Sequence, residues 1–392
     1  MNAALVLRNP NSKIRILHVI TGLSTGGAET TLQKLLHGMD RARFECRVVS
    51  LTDIGTVGTQ IAAAGDPVEA LRMKRGIPNP LALLRLARQI RDWSPDVVQT
   101  WLYHADLLGL LAARLARVGN VAWNVRCSYM GEDYYRGMSG LVLRALVRLS
   151  AKPLAVVVNS QAGQELHEAL GYRPKRWVVI PNGFDLVQFR SDTSDRALVR
   201  TSLGLSDEHV LIGMVGRYDP VKGHDTFVAA ATKAAKSQPG LKFALIGPGC
   251  DWDNAGLKAL ITPDLAERFL LLGERRDMPS LTRALDIATC ASIGEGFPNV
   301  IGEAMACEVP CVVTDVGDCA AIVGSSGRVV APENPRELAD AWLSLVDLGT
   351  QGRRSLGSMA RSRIERAHSI AVVIRRYETL YEELAGATVQ NC

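Results

Sequence analysis

Residues 14–29 of the chain read IRILHVITGLSTGGAE. Ile14–Ile20 is a short run rich in β-branched residues, glycines follow at 22, 26 and 27, and helical periodicity begins near Glu29. This order of strand, glycine-rich turn and helix predicts the first unit of a parallel β-α-β sheet. Further strands are predicted at residues 46–51, 97–100, 121–125, 155–159 and 178–180, with helices between them, as at residues 81–91 and 105–117. The alternation predicts an α/β domain with right-handed crossovers.

A second series of the same kind begins after the turn at Pro181–Asp185 and the polar residues that follow it. Val210–Val215 is the first predicted strand of this series. Later strands are predicted near residues 242–246, 269–272, 286–291, 310–314 and 328–331. We therefore predict two Rossmann-like domains, residues 1–185 and 186–368, and a C-terminal helix at 369–392 that is a candidate to pack back on the first domain.

The length and composition agree with two cores. The chain has 392 residues, which is too long for one ordinary core. Of these residues, 47% are hydrophobic and 22% charged, a composition typical of globular proteins. Its eight cysteines are scattered and form no C-x-x-C pair, so we expect reduced core thiols in a cytosolic protein and no metal site. There is no run of about 18 apolar residues and no signal-peptide pattern, so no membrane-spanning segment is expected.

Positive charge is concentrated in the first half. Residues 1–185 hold 23 Lys and Arg against 14 Asp and Glu, within a net charge of +5 for the chain. The basic residues form two clusters, Arg72, Lys74, Arg75, Arg85, Arg88 and Arg91, and then Arg114, Arg117, Arg126, Arg136, Arg144, Arg148 and Lys152. The asymmetry is consistent with an anionic acceptor or with peripheral binding at an anionic inner membrane face. Solvated arginines on ordinary helices would give the same pattern. The lack of interleaved aromatics argues against nucleic acid.

Three loops are candidate ligand sites because ligands of open parallel sheets lie beyond the carboxyl ends of the strands. Gly26 and Gly27 would let a diphosphate or sugar approach a helix N-terminus closely. The alternative is that these glycines only allow the chain to turn tightly between strand and helix. Arg217 and Lys222 follow the first strand of the second domain and suit a pyrophosphate; they would otherwise be two ordinary surface charges. His104 follows a predicted strand, at the position where such a sheet presents side chains to its ligand. The alternative is a structural role, which is more common for a lone histidine.

The most informative motif is Glu295–Glu303, EGFPNVIGE, followed by Ala304-Met305-Ala306. Glu295 lies at a glycine-rich turn, and Glu303 is predicted about two turns into an apolar helix. A carboxylate among apolar residues needs a partner, and a carboxylate can accept hydrogen bonds from two vicinal hydroxyls. The main-chain N–H groups of Phe297, Asn299 and Val300 are available at the helix start. The alternative is a solvated glutamate on a surface helix.

In order and spacing, these motifs resemble the group 1 family of retaining glycosyltransferases, which have the GT-B fold of two Rossmann-like domains facing each other across a cleft. The resemblance runs nearly end to end. It rests on Gly26–Glu29, Asn159-Ser160, Ile180–Asp185, Gly216-Arg217, Lys222-Gly223, Ile246-Gly247, Leu272-Gly273, Glu295–Ala306 and Val313–Gly317. Two departures are Glu308, where a glycine is common, and the loop Asp318–Ala321, which lacks the particular acidic residue that many members carry there; they bear on substrate choice.

The resemblance implies a role for each matching residue. Arg217 and Lys222 would hold the donor diphosphate, and Glu303 would accept hydrogen bonds from the ribose hydroxyls. Glu295 would hold hydroxyls of the donor sugar, helped by the N–H groups of Phe297, Asn299 and Val300. Gly26 and Gly27 would admit the diphosphate, and His104 would contact the sugar near the reacting carbon. The catalytic set is thus His104, Arg217, Lys222 and Glu295.

The expected activity is transfer of a sugar, with retention of configuration, from a UDP or GDP sugar to a glycan or lipid-linked acceptor in polysaccharide or glycolipid assembly. No cofactor or metal is expected, because Arg217 and Lys222 supply positive charge for the leaving group. A dehydrogenase would show G-x-G-x-x-G after a strand, and none is evident. A phosphorylase or epimerase on the same fold, and a sugar-nucleotide-binding protein without turnover, stay open as alternatives.

Overall fold

The computed structural model describes residues 12–74, 79–127 and 137–390, and these form two compact units. Unit 1 comprises the chain up to Gly183 together with the segment from Ile370 onward, and unit 2 is Phe184–Ser369. Residues 1–11, Arg75, Arg136 and Cys392 lie outside the described residues.

Unit 1 is built on a parallel sheet. Its strands are β1 (Ile14–Ile20), β2 (Phe44–Ser50), β3 (Val68–Ala70), β4 (Val97–Trp101), β5 (Val121–Val125), β6 (Ala155–Val158) and β7 (Trp177–Val179). They lie in the order β3-β2-β1-β4-β5-β6-β7, and all the pairs are parallel. The chain order therefore reverses direction between β1 and β4, which makes that pair the switch point where such sheets bind ligands.

Helices cover this sheet. They are α1 (Gly27–Gly38), α2 (Gly55–Ala63), α3 (Pro80–Trp93), α4 (Tyr103–Leu115), α5 (Gly137–Leu149) and α6 (Gln161–Ala169). Asn79 caps α3 by accepting from the backbone N–H of Leu81 and Ala82, with Pro80 at the first helical position, a combination that fixes a helix start.

Unit 2 repeats the architecture. Its strands are β8 (Val210–Val215), β9 (Leu241–Ile246), β10 (Phe269–Leu271), β11 (Ile287–Cys290), β12 (Cys311–Thr314) and β13 (Arg328–Val330), in the parallel order β10-β9-β8-β11-β12-β13. Its helices are α7 (Thr193–Ser202), α8 (His224–Ser237), α9 (Ala255–Leu260), α10 (Met278–Ala284), α11 (Asn299–Ala306), α12 (Cys319–Val323), α13 (Pro335–Asp347) and α14 (Gly349–His368). The switch point of this sheet lies between β8 and β11.

The C-terminal helix α15 (Ile370–Gln390) belongs to unit 1. The ring of Tyr377 stacks on that of Trp101 at the end of β4, with centroids 6.0 Å apart, and its hydroxyl accepts from Asn124 Nδ2 at 2.9 Å. The carboxylate of Glu378 accepts from the backbone N–H of Asp40 at 2.9 Å. The end of the chain thus completes the core around β1 and β4.

Two features differ from the sequence predictions. β3 was not predicted, because its three residues, Val68-Glu69-Ala70, contain no apolar run and its strand character comes from pairing with β2. The position of Glu303 is corrected: α11 begins at Asn299, so Glu303 lies one turn into the helix rather than two. Pro298 is the N-cap of α11, and Glu295–Phe297 lie in the loop before it. The helix therefore begins four residues after Glu295.

The described cysteines are free thiols, and all but Cys127 are buried. Within the described residues, no three His, Cys, Asp or Glu side chains are grouped so as to hold a metal ion. None of the described helices combines the length and the apolar character needed to cross a bilayer.

Candidate functional site

The switch point of unit 2 brings two predicted residues together. Lys222 lies in the loop after β8 and Glu295 in the loop after β11, and their side chains form an ion pair with Nζ and Oε1 2.6 Å apart. The lysine side chain is 24% exposed and that of the glutamate 13%. Ser292 donates its hydroxyl to the same Oε1 at 2.7 Å. The Coulomb attraction within a partly desolvated charge pair is stronger than that between fully exposed charges, and removing one partner leaves the other charge uncompensated.

Two glycines allow these loops to approach each other. Gly223 has a φ of 70°, and a Cβ there would collide with the carbonyl oxygen of Ala291 at the end of β11. Gly317 has a φ of 54°, and a Cβ there would collide with the carbonyl oxygen of Glu295. Both positions require glycine for conformation and for space. Together they fix the backbone on either side of Glu295.

Arg217, by contrast, reaches into solvent. Its side chain is 64% exposed, and its Nε donates to Asp219 Oδ2 at 3.0 Å. Asp219 also accepts from the backbone N–H of Val221 at 3.0 Å, and this bond, followed by the Arg217 guanidinium, lowers the pKa of the carboxyl group. Asp219 therefore shapes the turn that presents Lys222 and holds Arg217 near the same loop.

The start of α11 follows Glu295. Phe297 is buried, with its ring 6.0 Å from that of Phe184 and 5.5 Å from that of His368, so this side chain is core and only its main chain can serve a ligand. Asn299 is exposed, while Val300 and Glu303 are half-buried. The N-terminus of a helix carries partial positive charge and favours phosphate and other anionic groups.

The switch point of unit 1 holds the remaining predicted residues. Gly26 is the N-cap of α1 and Gly27 its first residue. A Cβ at Gly26 would collide with the carboxylate of Glu29, whereas one at Gly27 would meet nothing within 4 Å. The Glu29 carboxylate thus folds back over the helix N-terminus, and burial raises its pKa.

His104 is the second residue of α4, directly after β4. Its side chain is exposed at the mouth of a cavity of about 670 Å³ that Gly22 and Glu29 also line. Desolvation lowers the pKa of His104, which favours the neutral ring at pH 7. Asp106, two residues further along α4, is fully buried and accepts a hydrogen bond from the hydroxyl of Thr100.

The sequence did not indicate Ser292, although it contacts Glu295 directly. A serine three residues before a glutamate is too common a pattern to single out. Gly223 and Gly317 were part of the quoted motifs, but their steric role becomes visible only when β8, β11 and β12 are adjacent.

Comparison with known proteins agrees with this geometry. A family model described as "Glycosyltransferase Family 4" matches residues 25–188, and one described as "Glycosyl transferases group 1" matches residues 209–347. The chain belongs to the group 1 glycosyltransferases. The two matches fall on unit 1 and unit 2 and confirm the resemblance drawn from the motifs.

Relatives and solved structures support the same family. The chain is 27% identical to the UDP-Gal:alpha-D-GlcNAc-diphosphoundecaprenol alpha-1,3-galactosyltransferase of Escherichia coli, over 79% of this chain and 81% of that protein. It is 28% identical to a D-inositol 3-phosphate glycosyltransferase of Geodermatophilus obscurus, over 78% and 71%. The structure of Anabaena HepE in complex with UDP is 26% identical, with a TM-score of 0.81 over 94% of this chain and all of that one. The glycosyltransferase therefore has the GT-B architecture.

Proposed function

We propose that this glycosyltransferase transfers a hexose from a UDP sugar to a glycan or lipid-linked acceptor, with retention of configuration and without a divalent metal. The observation that carries the proposal is the Lys222–Glu295 pair at the switch point of unit 2, where a nucleotide sugar binds in folds of this type. UDP is favoured over GDP because HepE, a solved relative, binds UDP and UDP-glucose.

The chemistry follows from charge. Breaking the bond between the anomeric carbon and the diphosphate oxygen leaves negative charge on the departing nucleotide. A fixed cation lowers this barrier most when it is already in place and shielded from water. Lys222 meets that requirement, and the exposed Arg217, on the same loop, would exchange its bond to Asp219 for the phosphates once they bind. The two side chains supply the positive charge that a metal ion provides in other transferases, which supports metal independence.

The acidic residues orient the donor. Glu295 accepts hydrogen bonds from hydroxyls of the donor sugar while it holds Lys222, and Glu303 accepts from the ribose. The N–H groups of Phe297, Asn299 and Val300 bind sugar or phosphate oxygens. In unit 1, Gly26 and Gly27 allow close approach of the diphosphate, and the neutral ring of His104 contacts the sugar near the reacting carbon. Retention is inferred from the family resemblance.

The test is ligand binding followed by turnover. Because a ligand that binds only the folded protein raises its melting temperature, UDP should raise it more than GDP at equal concentration. UDP-glucose and UDP-galactose, incubated with EDTA present, should then release UDP slowly in the absence of acceptor. If no nucleoside diphosphate shifts the melting temperature, the donor assignment is wrong. If UDP binds but no UDP sugar is ever consumed, the protein is a binding protein without turnover.

A further inference from the structure

A cavity of about 350 Å³ lies in unit 2, at the edge of the sheet opposite the candidate donor site. Asp286 and Pro310 line it and immediately precede β11 and β12, which places the cavity at the amino ends of these strands. Glu295 follows the carboxyl end of β11, and the four residues of that strand span about 13 Å. The cavity is therefore separate from the Lys222–Glu295 pair.

This cavity has a buried floor and an exposed rim. The floor consists of Leu285, Cys307, Val309, Pro310 and Arg353. The rim includes Ser191, Thr193, Glu308, Thr350 and Arg354. Protein interiors contain few voids larger than a water molecule, whereas sites for small molecules have volumes of about 300–1,000 Å³. The space is large enough for a small organic ligand, which can enter at the rim.

Arginines from three helices surround the space, namely Arg196 of α7, Arg283 of α10, and Arg353 and Arg354 of α14. Arg283 pairs with Asp195, and the charged atoms are 2.6 Å apart. Arg196 shares the carboxylate of Asp286 with the buried Arg200, at 2.6 and 2.8 Å. One carboxylate therefore compensates two guanidinium groups on this side of the cavity.

Positive charge is crowded around Arg196. Burial lowers the pKa of its guanidinium. The attraction of Asp286 opposes this effect, while the nearby charges of Arg200 and Arg354 add to it. An anion bound in the cavity would reduce the repulsion among these like charges.

The α14 side of the cavity has two arginines without a carboxylate partner among the described residues. Arg353 is buried, and its Nη1 donates to the carbonyl oxygens of Leu345 and Val346 at the end of α13, at 3.4 and 3.1 Å. These bonds cap the helix, but a guanidinium has five N–H donors, and Arg353 also lines the cavity. Arg354 is exposed on the rim. A buried charge without a counter-charge is costly, so this side favours an anionic ligand.

The acidic residues of the lining do not meet this demand. Asp286 pairs with Arg196 and Arg200. Asp192 is the N-cap of α7, and its Oδ1 accepts from the backbone N–H of Asp195 at 3.0 Å. Glu308 is exposed on the rim. The uncompensated charge therefore lies on α14.

We propose that this cavity binds a small phosphate ester, with the phosphate held by Arg353 and Arg354 and the organic part against Leu285 and Val309. Guanidinium groups bind phosphate oxygens in pairs of parallel hydrogen bonds. An ester fits better than free phosphate, because the floor is partly apolar and the volume exceeds that of a phosphate ion. The inference goes beyond the proposed function, which concerns the opposite edge of the sheet.

The test is isothermal titration calorimetry of the full chain in a buffer without phosphate. Glucose 6-phosphate and glycerol 3-phosphate are the ligands, and glucose and inorganic phosphate are the controls. At least one ester should bind about tenfold more tightly than inorganic phosphate, and glucose should not bind. The inference is overturned if glucose binds as tightly as its phosphate, or if inorganic phosphate binds as tightly as both esters.

Two variants at exposed positions locate the binding. Arg354→Gln should weaken ester binding about tenfold, through loss of a charged hydrogen-bond donor. Thr350→Glu places a carboxylate on the rim and should abolish binding, while a glutamate in the first turn of α14 suits the helix. The matched controls are Arg336→Gln and Ser344→Glu, which lie at exposed positions of α13 outside the cavity and should bind as the wild type does. Unchanged binding in folded Arg354→Gln and Thr350→Glu would overturn the inference.

The same titrations separate this cavity from the candidate donor site. Ester binding should be unchanged when UDP is present at saturation, and unchanged in Lys222→Ala. Displacement by UDP, or loss of ester binding in folded Lys222→Ala, would place the phosphate in the donor site and overturn the inference. If UDP does not bind but the ester binds wild type and Lys222→Ala equally, the proposed donor fails and this inference stands.

Discussion

The switch point of unit 2 holds a lysine and a glutamate 2.6 Å apart in a largely desolvated loop pair, whereas that of unit 1 holds glycines, one histidine and a mostly apolar cavity. The first six strands of unit 1 and the six strands of unit 2 follow the same order, and β7 is an additional strand of unit 1. All the strand pairs are parallel. The difference lies entirely in the loops and in the helix faces beside them. Side chains placed on a common fold thus make one switch point charged and the other mostly apolar.

Removing the positive charge of Lys222 in unit 2 should have the largest effect on donor turnover. Lys222→Ala leaves Glu295 partly buried without its cation. If Lys222 stabilises the leaving diphosphate as proposed, donor turnover should fall by about 10³-fold. The measurement is the rate of UDP release from a UDP sugar, with the melting temperature recorded alongside. Lys233→Ala, an exposed lysine on α8, is the matched control and should retain the wild-type rate. Wild-type turnover in folded Lys222→Ala would remove Lys222 from the site.

Acid should weaken unit 1 in part through His18. His18 lies on β1, fully buried, with Trp101 Nε1 donating to its Nδ1 at 3.2 Å. Burial lowers the pKa of His18 from 6.5 to about 3. Between these values the unfolded chain binds a proton that the folded one does not, so stability is complete above pH 6.5 and falls as the pH drops toward 3. From pH 6.5 to 5 the loss should be about 2 kcal/mol.

His18→Gln keeps an acceptor for Trp101 and should flatten this pH dependence even if it lowers stability at neutral pH. The readout is urea unfolding at each pH, followed by pulse-labelling hydrogen exchange on peptides from β1 and β4, which report on unit 1 alone. His37→Gln, on the exposed surface of α1, should leave the slope unchanged. An unchanged slope in His18→Gln would assign the acid sensitivity to other groups.

The glycine loop of unit 1 can be tested without disturbing the fold. A Cβ at Gly27 meets nothing within 4 Å in the protein, so Gly27→Ala should be neutral or slightly stabilising at this helix start. If the diphosphate approaches the backbone there, the same methyl group should reduce turnover about tenfold, equivalent to about 1.4 kcal/mol. Gly119→Ala, another exposed glycine of unit 1 with open space around it, is the control. Full activity of Gly27→Ala would exclude close ligand approach at this position.

Much of the fold could be read from the sequence, because buried parallel strands are short apolar runs with glycine-rich turns after them. β1, β5 and β8 begin and end where the pattern predicted. β3 could not be found, since its three residues acquire strand structure only from β2. Lys222 and Glu295 were predicted as site residues, but their pairing across 73 residues follows from the adjacency of β8 and β11, which spacing does not encode. The cavity of unit 1 arises from the packing of three helices, and no single segment indicates it.

Glu308 is the departure from the family pattern that the structure explains best, and it gives the smallest expected effect. Its φ is 62°, in the left-handed region, just before β12, and its side chain is exposed. A Cβ at Gly357 of α14 would collide with its carbonyl oxygen, so this helix holds the turn in place. Replacing the residue by glycine removes the conformational cost of the left-handed backbone, about 1–2 kcal/mol. Part of this gain is offset because glycine raises the conformational entropy of the unfolded chain.

Glu308→Gly should therefore stabilise unit 2 by about 0.5–1 kcal/mol, raising its melting temperature by about 2 °C, with donor turnover unchanged. Arg117→Gly is the counterpart in unit 1, since Arg117 has a φ of 63° just after α4 and is also exposed. If strain is the common cause, both variants gain stability, each in its own unit when read by hydrogen exchange. If Glu308→Gly alone lowers the free energy of unfolding, the contacts of the Glu308 side chain stabilise the protein by more than its left-handed backbone conformation costs. Glutamate at this position would then be more stabilising than the glycine that is common in the family.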